Sequence, residues 1–417
     1  MTAFSKADIL LPKLDSDGMK KWSVVACDQY TGEPDYWKSV SDTVGNAPSA
    51  LNLILPEIYL EEPDCEKRIE KINDVMAEYM KNGLFTEYKD CFVLTRRTQA
   101  DGRLRAGLVG CIDLEMYDYN KGSKSQVRAT EATVKSRIPP RVKIRMNAPL
   151  ELPHIMILID DPENTVIEPL LDKDLKPVYD FELMQNGGHL SGAIVSGENA
   201  DGVLAALDKL AENELKIRHW NGLDKEGVLL YAMGDGNHSL ATAKECYEQK
   251  KRANSPDAEL ARYALVEIVN LHSPALEFEA IHRVVTGVDA DRLVAEMTKE
   301  LGLADNAEQS FTVIIGNEER KFGITKPTSN LTVGSLQAFL DGYLRENGGK
   351  IDYIHGEDVV RSLCKEQGSV GFLLPSMAKS ELFPTVIKDG ALPRKTFSMG
   401  HAHDKRFYCE ARKIQKD

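Results

Sequence analysis

The chain has 417 residues, 42% of them hydrophobic and 28% charged, with a formal net charge of −13. That length and balance describe a globular protein with room for two or three domains, and the acidic excess argues against general nucleic-acid binding. No apolar run approaches the roughly 18 residues of a membrane helix, and "MTAFSKADILLPKLDSDG" lacks the basic-then-apolar order of a secretory signal, so a cytoplasmic protein with no membrane partner is expected.

Along the chain, Glu66 to Asn82 reads as an amphipathic helix, with Ile69, Ile72, Val75, Met76, Tyr79 and Met80 at three- and four-residue steps and Gly83 as its stop. "CFVLTRRTQADGRLRAGLVGCIDL" follows as two strands joined at Ala100-Asp101-Gly102, a hairpin. In the basic segment that comes next, Pro139 and Pro140 should end any helix before them. "LPHIMILID" is a buried strand closing on Asp160 and Asp161, "NGGHLSG" at 186–192 a flexible glycine-rich loop, and 201–215 a helix. Val228 to Met233, bounded by glycines, is a strand covered on both faces, and "YALVEIVNL" another. Beyond about residue 285 the pattern gives a helix at 291–301, strands near 311–324, a helix at 335–346 and a strand after Gly368. The alternation predicts a mixed α/β architecture, divided into regions 1–120, 121–285 and 286–417.

The junction "GVLLYAMGDGNHSLATAKECYEQ" at 227–249 concentrates the chemistry. Its strand stops at Gly234-Asp235-Gly236-Asn237-His238, and from Ser239 onward Leu240, Ala243, Lys244 and Tyr247 take helical spacing, with Asn237 or Ser239 available as N-cap. A strand-to-helix turn points unpaired backbone N–H groups and the positive helix end at a phosphate or carboxylate. Gly234 and Gly236 let the backbone approach a ligand, His238 adds a donor, and Asp235 offers a carboxylate to a metal or a proton. A plain tight turn explains the same residues.

Residues 121–145 set Lys121, Lys124, Arg128, Lys135, Arg137, Arg141, Lys143 and Arg145 against the single acid Glu131, a net +7 that leaves −20 for the rest. Such a run attracts a small polyanion, or it forms a strip of ion pairs. Glu131, held ionised by its neighbours, has the chemistry of a general base for a hydroxyl nucleophile; one arm of an ion pair is the plainer reading. Asp160 and Asp161 read as turn residues, and His401 and His403, alternating on a strand face, lack a third metal ligand in register. The seven cysteines, Cys27, Cys65, Cys91, Cys111, Cys246, Cys364 and Cys409, contain no C-x-x-C pair and fit reduced core thiols.

Together, "GDGNHS" opening a helix, the upstream "RATEATVKSRIPPR" and "AIHRVV" at 280–285 resemble a bacterial family known as domain of unknown function 1015, whose usual box reads D-G-H-H-R. That box is similar to one in the ParB and sulfiredoxin superfamily, where a G-x-H-R-type turn at a helix start holds nucleotide phosphates. Some members with such a box phosphorylate free serine, with an upstream glutamate as base. The first likeness covers most of the chain, the second only the box and Glu131. The resemblance implies a ParB/sulfiredoxin-like core with additional mixed-sheet domains, and ATP or ADP with Mg2+ as cofactors. It carries Asp235, Gly236, Asn237 and His238 onto the phosphate turn and Glu131 onto the base. Two positions depart from the pattern: Asn237 replaces the first histidine, and Ser239 stands where arginine is expected. Either Arg137 or Arg141 supplies the missing bidentate donor, or the turn has become a binding site.

Two functions follow from this reading, a transfer of phosphate from ATP or ADP to a small hydroxyl compound, and binding of a nucleotide or metabolite without turnover. In the first, helix N–H groups hold the phosphates, Glu131 accepts the hydroxyl proton and Asp235 helps place Mg2+. A metal-dependent hydrolase built on the aspartates and the H-x-H pair is a third, weaker option.

Overall fold

The computed structural model describes residues 2–131, 138–220, 225 and 227–416. Contacts group the chain into two units, Met1–Leu276 with His401–Asp417, and Glu277–Gly400. The first contains strands β1 (Phe4–Ser5), β2 (Ala7–Pro12), β3 (Phe85–Thr98), β4 (Leu104–Asp113), β5 (Tyr117–Asp118), β6 (Val127–Arg128), β7 (Leu150–Glu151), β8 (Met156–Ile159), β9 (Lys176–Glu182), β10 (His189–Val195), β11 (Tyr231–Asp235) and β12 (Tyr263–Asn270). Its helices are α1 (Ser16–Trp22), α2 (Pro34–Val44), α3 (Cys65–Lys81), α4 (Ile138–Met146), α5 (Gly197–Trp220), α6 (Asn237–Arg252) and α7 (Ala258–Ala261).

Period-two alternation makes the main sheet two-sided. Cys91 and Val93 of β3, Val109 and Cys111 of β4 and Leu265 of β12 enter one core with Trp22, Trp37, Ile69, Ile72 and Met76 from the first three helices. Phe92 and Leu94, Leu108 and Ile112, and Val266 and Ile268 enter the opposite core with Val203 and Leu207 of α5 and Leu240, Ala243 and Tyr247 of α6. Burying a large apolar side chain completely contributes roughly 1.5–3 kcal/mol, so the two cores hold the sheet from both faces. Strand order is β5-β6-β11-β8-β12-β4-β3-β10-β9, with β1 on β4 and β2 on β3. The β6–β11 and β8–β12 pairs are parallel, and β11 runs antiparallel to β8, so the sheet is mixed. The boundary expected near residue 120 falls between β5 and β6, two paired strands of this one sheet.

Three local expectations are corrected. Pro139 and Pro140 open α4 instead of ending a helix before them, because proline lacks only an N–H that the first helical turn leaves unbonded anyway. In "NGGHLSG" only Asn186, Gly187 and Gly188 belong to a turn. Gln185, Asn186 and Gly188 take positive φ, Leu183 N donates to Gly188 O at 2.8 Å, and His189–Gly192 already lie in β10. His401 and His403 sit in and beside a short 3-10 turn with stacked rings, not alternating on a strand. No helix among the described residues is long and apolar enough to cross a membrane.

The second unit runs β13 (Phe278–Thr286), α8 (Ala290–Leu301), β14 (Leu303–Ala304), β15 (Gln309–Ile315), β16 (Glu318–Ile324), α9 (Thr332–Asn347), β17 (Lys350–His355), α10 (Glu357–Leu363), β18 (Ser369–Leu373), α11 (Leu382–Asp389) and β19 (Phe397–Met399). Its sheet order is β14-β16-β15-β18-β13-β17, with β19 on β13. Arg283, from the "AIHRVV" stretch, is fully buried here and donates to Gln337 Oε1 at 3.1 Å and to Arg394 O at 3.0 Å, so its role within the unit is structural.

Candidate functional site

The strand-to-helix turn lies at the carboxyl end of β11. Gly236 is the N-cap of α6 with φ of +78°, and its own N–H donates to Asp235 Oδ1 at 2.9 Å. An added Cβ would press on Ile155 Cα and Cγ1 at 3.1 Å, just before β8, and glycine also suits the left-handed backbone. Gly236, having no side chain, cannot cap the first-turn N–H groups of α6 itself. The helix end therefore favours an anion.

Residues distant in sequence converge on this turn. His154, just before β8, places Nε2 at 3.1 Å from Ser239 Oγ and Nδ1 at 2.7 Å from the Tyr408 hydroxyl, so one buried imidazole ties the first turn of α6 to the returning carboxyl-terminal segment. Asp28 Oδ2 lies 3.8 Å from His154 Nε2. Burial pushes the Asp28 carboxyl up, but His154, Gln29 and Lys405 together hold it below its ordinary value, so it is a carboxylate at neutral pH. Lys405 Nζ stands 3.4 Å from Asp235 Oδ2, within ion-pairing distance. Burial drives the Cys27 thiol up to about 12, which keeps it protonated and unreactive beside this group.

The other predicted residues are placed as follows. Thr130 Oγ1 donates to Met233 O at 2.7 Å, and β6 runs parallel to β11, which sets Glu131 one residue further on, at the same end as Asp235. Glu131 and the turn Gly234–Ser239 therefore lie at one end of the paired strands β6 and β11. Arg141 belongs to α4 and pairs with Glu57, while Lys143 pairs with Glu66 and Arg145 with Glu151. That part of the basic run is thus engaged in ion pairs. Arg137 lies outside the described residues.

Asp28, His154, Lys405 and Tyr408 are the residues that sequence reasoning missed. His154 was visible as the one ionisable side chain opening the apolar "HIMILI", and Lys405 stood inside "GHAHDK", where the histidines drew the attention. Nothing local marked Asp28 or Tyr408.

Two oxygens at the turn, Asp235 Oδ2 and Asn237 Oδ1, are buried without a hydrogen-bond partner among the described residues. Hard oxygens of this kind suit Mg2+, which is held through one or two carboxylates plus substrate phosphates. No cluster of three or more His, Cys, Asp or Glu gathers among the described residues, so the chain does not build a closed metal cage of its own there. Beside the turn lies a cavity of about 140 Å3, reached by Ser239 and Thr242 of α6, His154 and Tyr408. A larger depression of about 620 Å3 is lined by Lys6, Asp8, Lys89 and Asp90, whose charges pair with one another.

A mixed-sheet α/β protein with a helix start whose N-cap is a glycine, flanked by carboxylates and a lysine, is the class that fold and site define. The chain belongs to the family described as "Protein of unknown function (DUF1015)", whose match spans residues 12–343. No curated protein matches the sequence. Among solved structures, a free serine kinase in complex with AMP is similar at 14% identity and a TM-score of 0.38, covering 73% of this chain and 91% of that one. A conserved hypothetical protein from Pyrococcus furiosus matches at 10% identity and a TM-score of 0.35, over 73% and 94% of the two chains. SbnI from Staphylococcus aureus, truncated at its C-terminus, matches at 10% and 0.37, over 70% and 82%.

Proposed function

We propose that the chain is a nucleotide-dependent phosphotransferase acting on a small hydroxyl-bearing metabolite. The observation that carries this reading is the meeting of Asp28, His154, Asp235 and Lys405 around the start of α6, whose N-cap is a glycine, with the β6–β11 register setting Glu131 at the same end. Backbone N–H groups of α6 and the ammonium of Lys405 would seat the phosphates of ATP or ADP. Lys405 takes over the charge that an arginine at position 239 would supply, though as a point charge instead of a fork. Asp235 and Asn237 would hold Mg2+, which supplies neutralisation of the phosphate oxygens when bound. As the acceptor hydroxyl attacks the terminal phosphorus and the bond to the leaving nucleotide breaks, Glu131 takes the hydroxyl proton.

Incubation with ATP or ADP, Mg2+ and a pool of small hydroxy compounds should give nucleotide turnover that depends on the acceptor. A second reading is favoured by Ser239, whose hydroxyl is bonded to His154 where the family box has arginine. On that reading the chain binds a nucleotide as a sensor, and the same experiment returns binding without turnover.

A further inference from the structure

The cavity beside the turn is mismatched to a very polar acceptor such as a free amino acid. Leu53, Leu55, Met76 and Ile144 supply its walls, three of them from the main core, and its charged lining groups cancel: Arg141 with Glu57 and Arg145 with Glu151. An ammonium or carboxylate placed against those walls would lose its hydration with no unengaged counter-charge to replace it. Outside those ion pairs the lining has a polar end, where Ser239 Oγ and the His154 imidazole face each other at 3.1 Å. That end is the first turn of α6, where the phosphates are seated on the reading above. A half-apolar cavity with one convergent polar end is the usual form of a small-molecule site, and an apolar cavity of this size takes a ligand of roughly six non-hydrogen atoms.

We propose that this cavity is the acceptor site and that its ligand is a small aliphatic alcohol or hydroxy compound with an uncharged hydrocarbon body. The hydroxyl sits at the Ser239 and His154 end, facing out of the cavity toward the turn whose end of the sheet carries Glu131, and the hydrocarbon fills the space between Leu53, Leu55, Met76 and Ile144. The proposal rests on the phosphotransferase reading for the direction in which the hydroxyl faces, and not for the cavity's preference.

The probe is 3-methyl-1-butanol, compared with serine, using saturation-transfer NMR for the two small molecules and calorimetry for ADP. The alcohol should bind the wild-type chain, with serine weaker by roughly tenfold or more, because the cavity leaves its charges uncompensated. Met76→Trp and the milder Ile144→Phe should each weaken the alcohol by roughly tenfold while leaving ADP affinity unchanged. Serine binding as tightly as the alcohol to the wild type, or alcohol binding that survives both folded variants, overturns the proposal. Alcohol binding with no ADP binding supports the cavity assignment and removes only the phosphate reading.

Discussion

Glutamine at position 131 keeps the shape of the side chain and removes both its negative charge and its ability to accept a proton. Glu131→Gln should therefore lower turnover by roughly two to four orders of magnitude. ADP affinity, measured by calorimetry, should hold or rise, since a charge facing phosphates is lost. Normal turnover in the variant would move the base elsewhere, and Asp28 is then the carboxylate to replace. A different kind of charge sits at Glu267, buried in β12. Burial alone would push its carboxyl up, yet Arg406 and Arg105 outweigh burial, with Arg406 Nε at 2.7 Å and Thr95 Oγ1 at 2.8 Å, and the group stays below its ordinary value. The stability it contributes is present above the unfolded carboxyl value of about 4.3 and is lost as pH falls through the lower folded one. Glu267→Gln should cost about 3 kcal/mol at pH 7 in urea unfolding and flatten the acid limb of the stability curve. An unchanged acid limb would assign that dependence to other carboxylates.

Among the elements, the β11–α6 turn gives the sharpest test. Gly236→Val forces a β-branched residue into a left-handed backbone and presses its Cβ against Ile155, a strain of roughly 1–3 kcal/mol that distorts the first N–H groups of α6. ADP binding should weaken by about tenfold or more in a variant that remains folded by circular dichroism. Unchanged affinity would place the phosphates away from this helix. The turn was legible in the sequence, as were α3, the β3–β4 hairpin and α8, because apolar period, a turn dipeptide or a stop glycine lies within each segment. The start of α4 was misread since a proline pair marks either side of a helix boundary. The roles of His154, Asp28 and Lys405 were illegible for a different reason. They gain meaning only when β8 docks beside β11 and the last residues of the chain fold back, and no periodicity within a segment records a partner some 250 residues away.

At the scale of the whole molecule, the second unit has its own sheet and its own apolar cluster about Val284, Ile314, Val360 and Cys364. Residues 277–400 expressed alone should unfold in urea as one cooperative transition; a broad, non-cooperative loss of structure would show that the unit depends on the rest of the chain. Residues 1–276 alone have no such independence, because Trp22 Nε1 donates to Cys409 O, Tyr408 N donates to Val24 O, and Arg412–Lys413 pairs with β7, all with the terminal segment of the same unit. On the ribosome this matters. The amino-terminal 276 residues emerge long before His401–Asp417, so the first unit waits unfinished through the synthesis of the entire second one, with Glu267 lacking Arg406 and the turn lacking Lys405. A message broken anywhere inside the second unit yields a product with the strands of its main sheet but without Lys405 and Tyr408 at the turn. Ending translation at Gly400 should accordingly abolish ADP binding, and the nascent first unit is the stretch of this protein that most needs a chaperone.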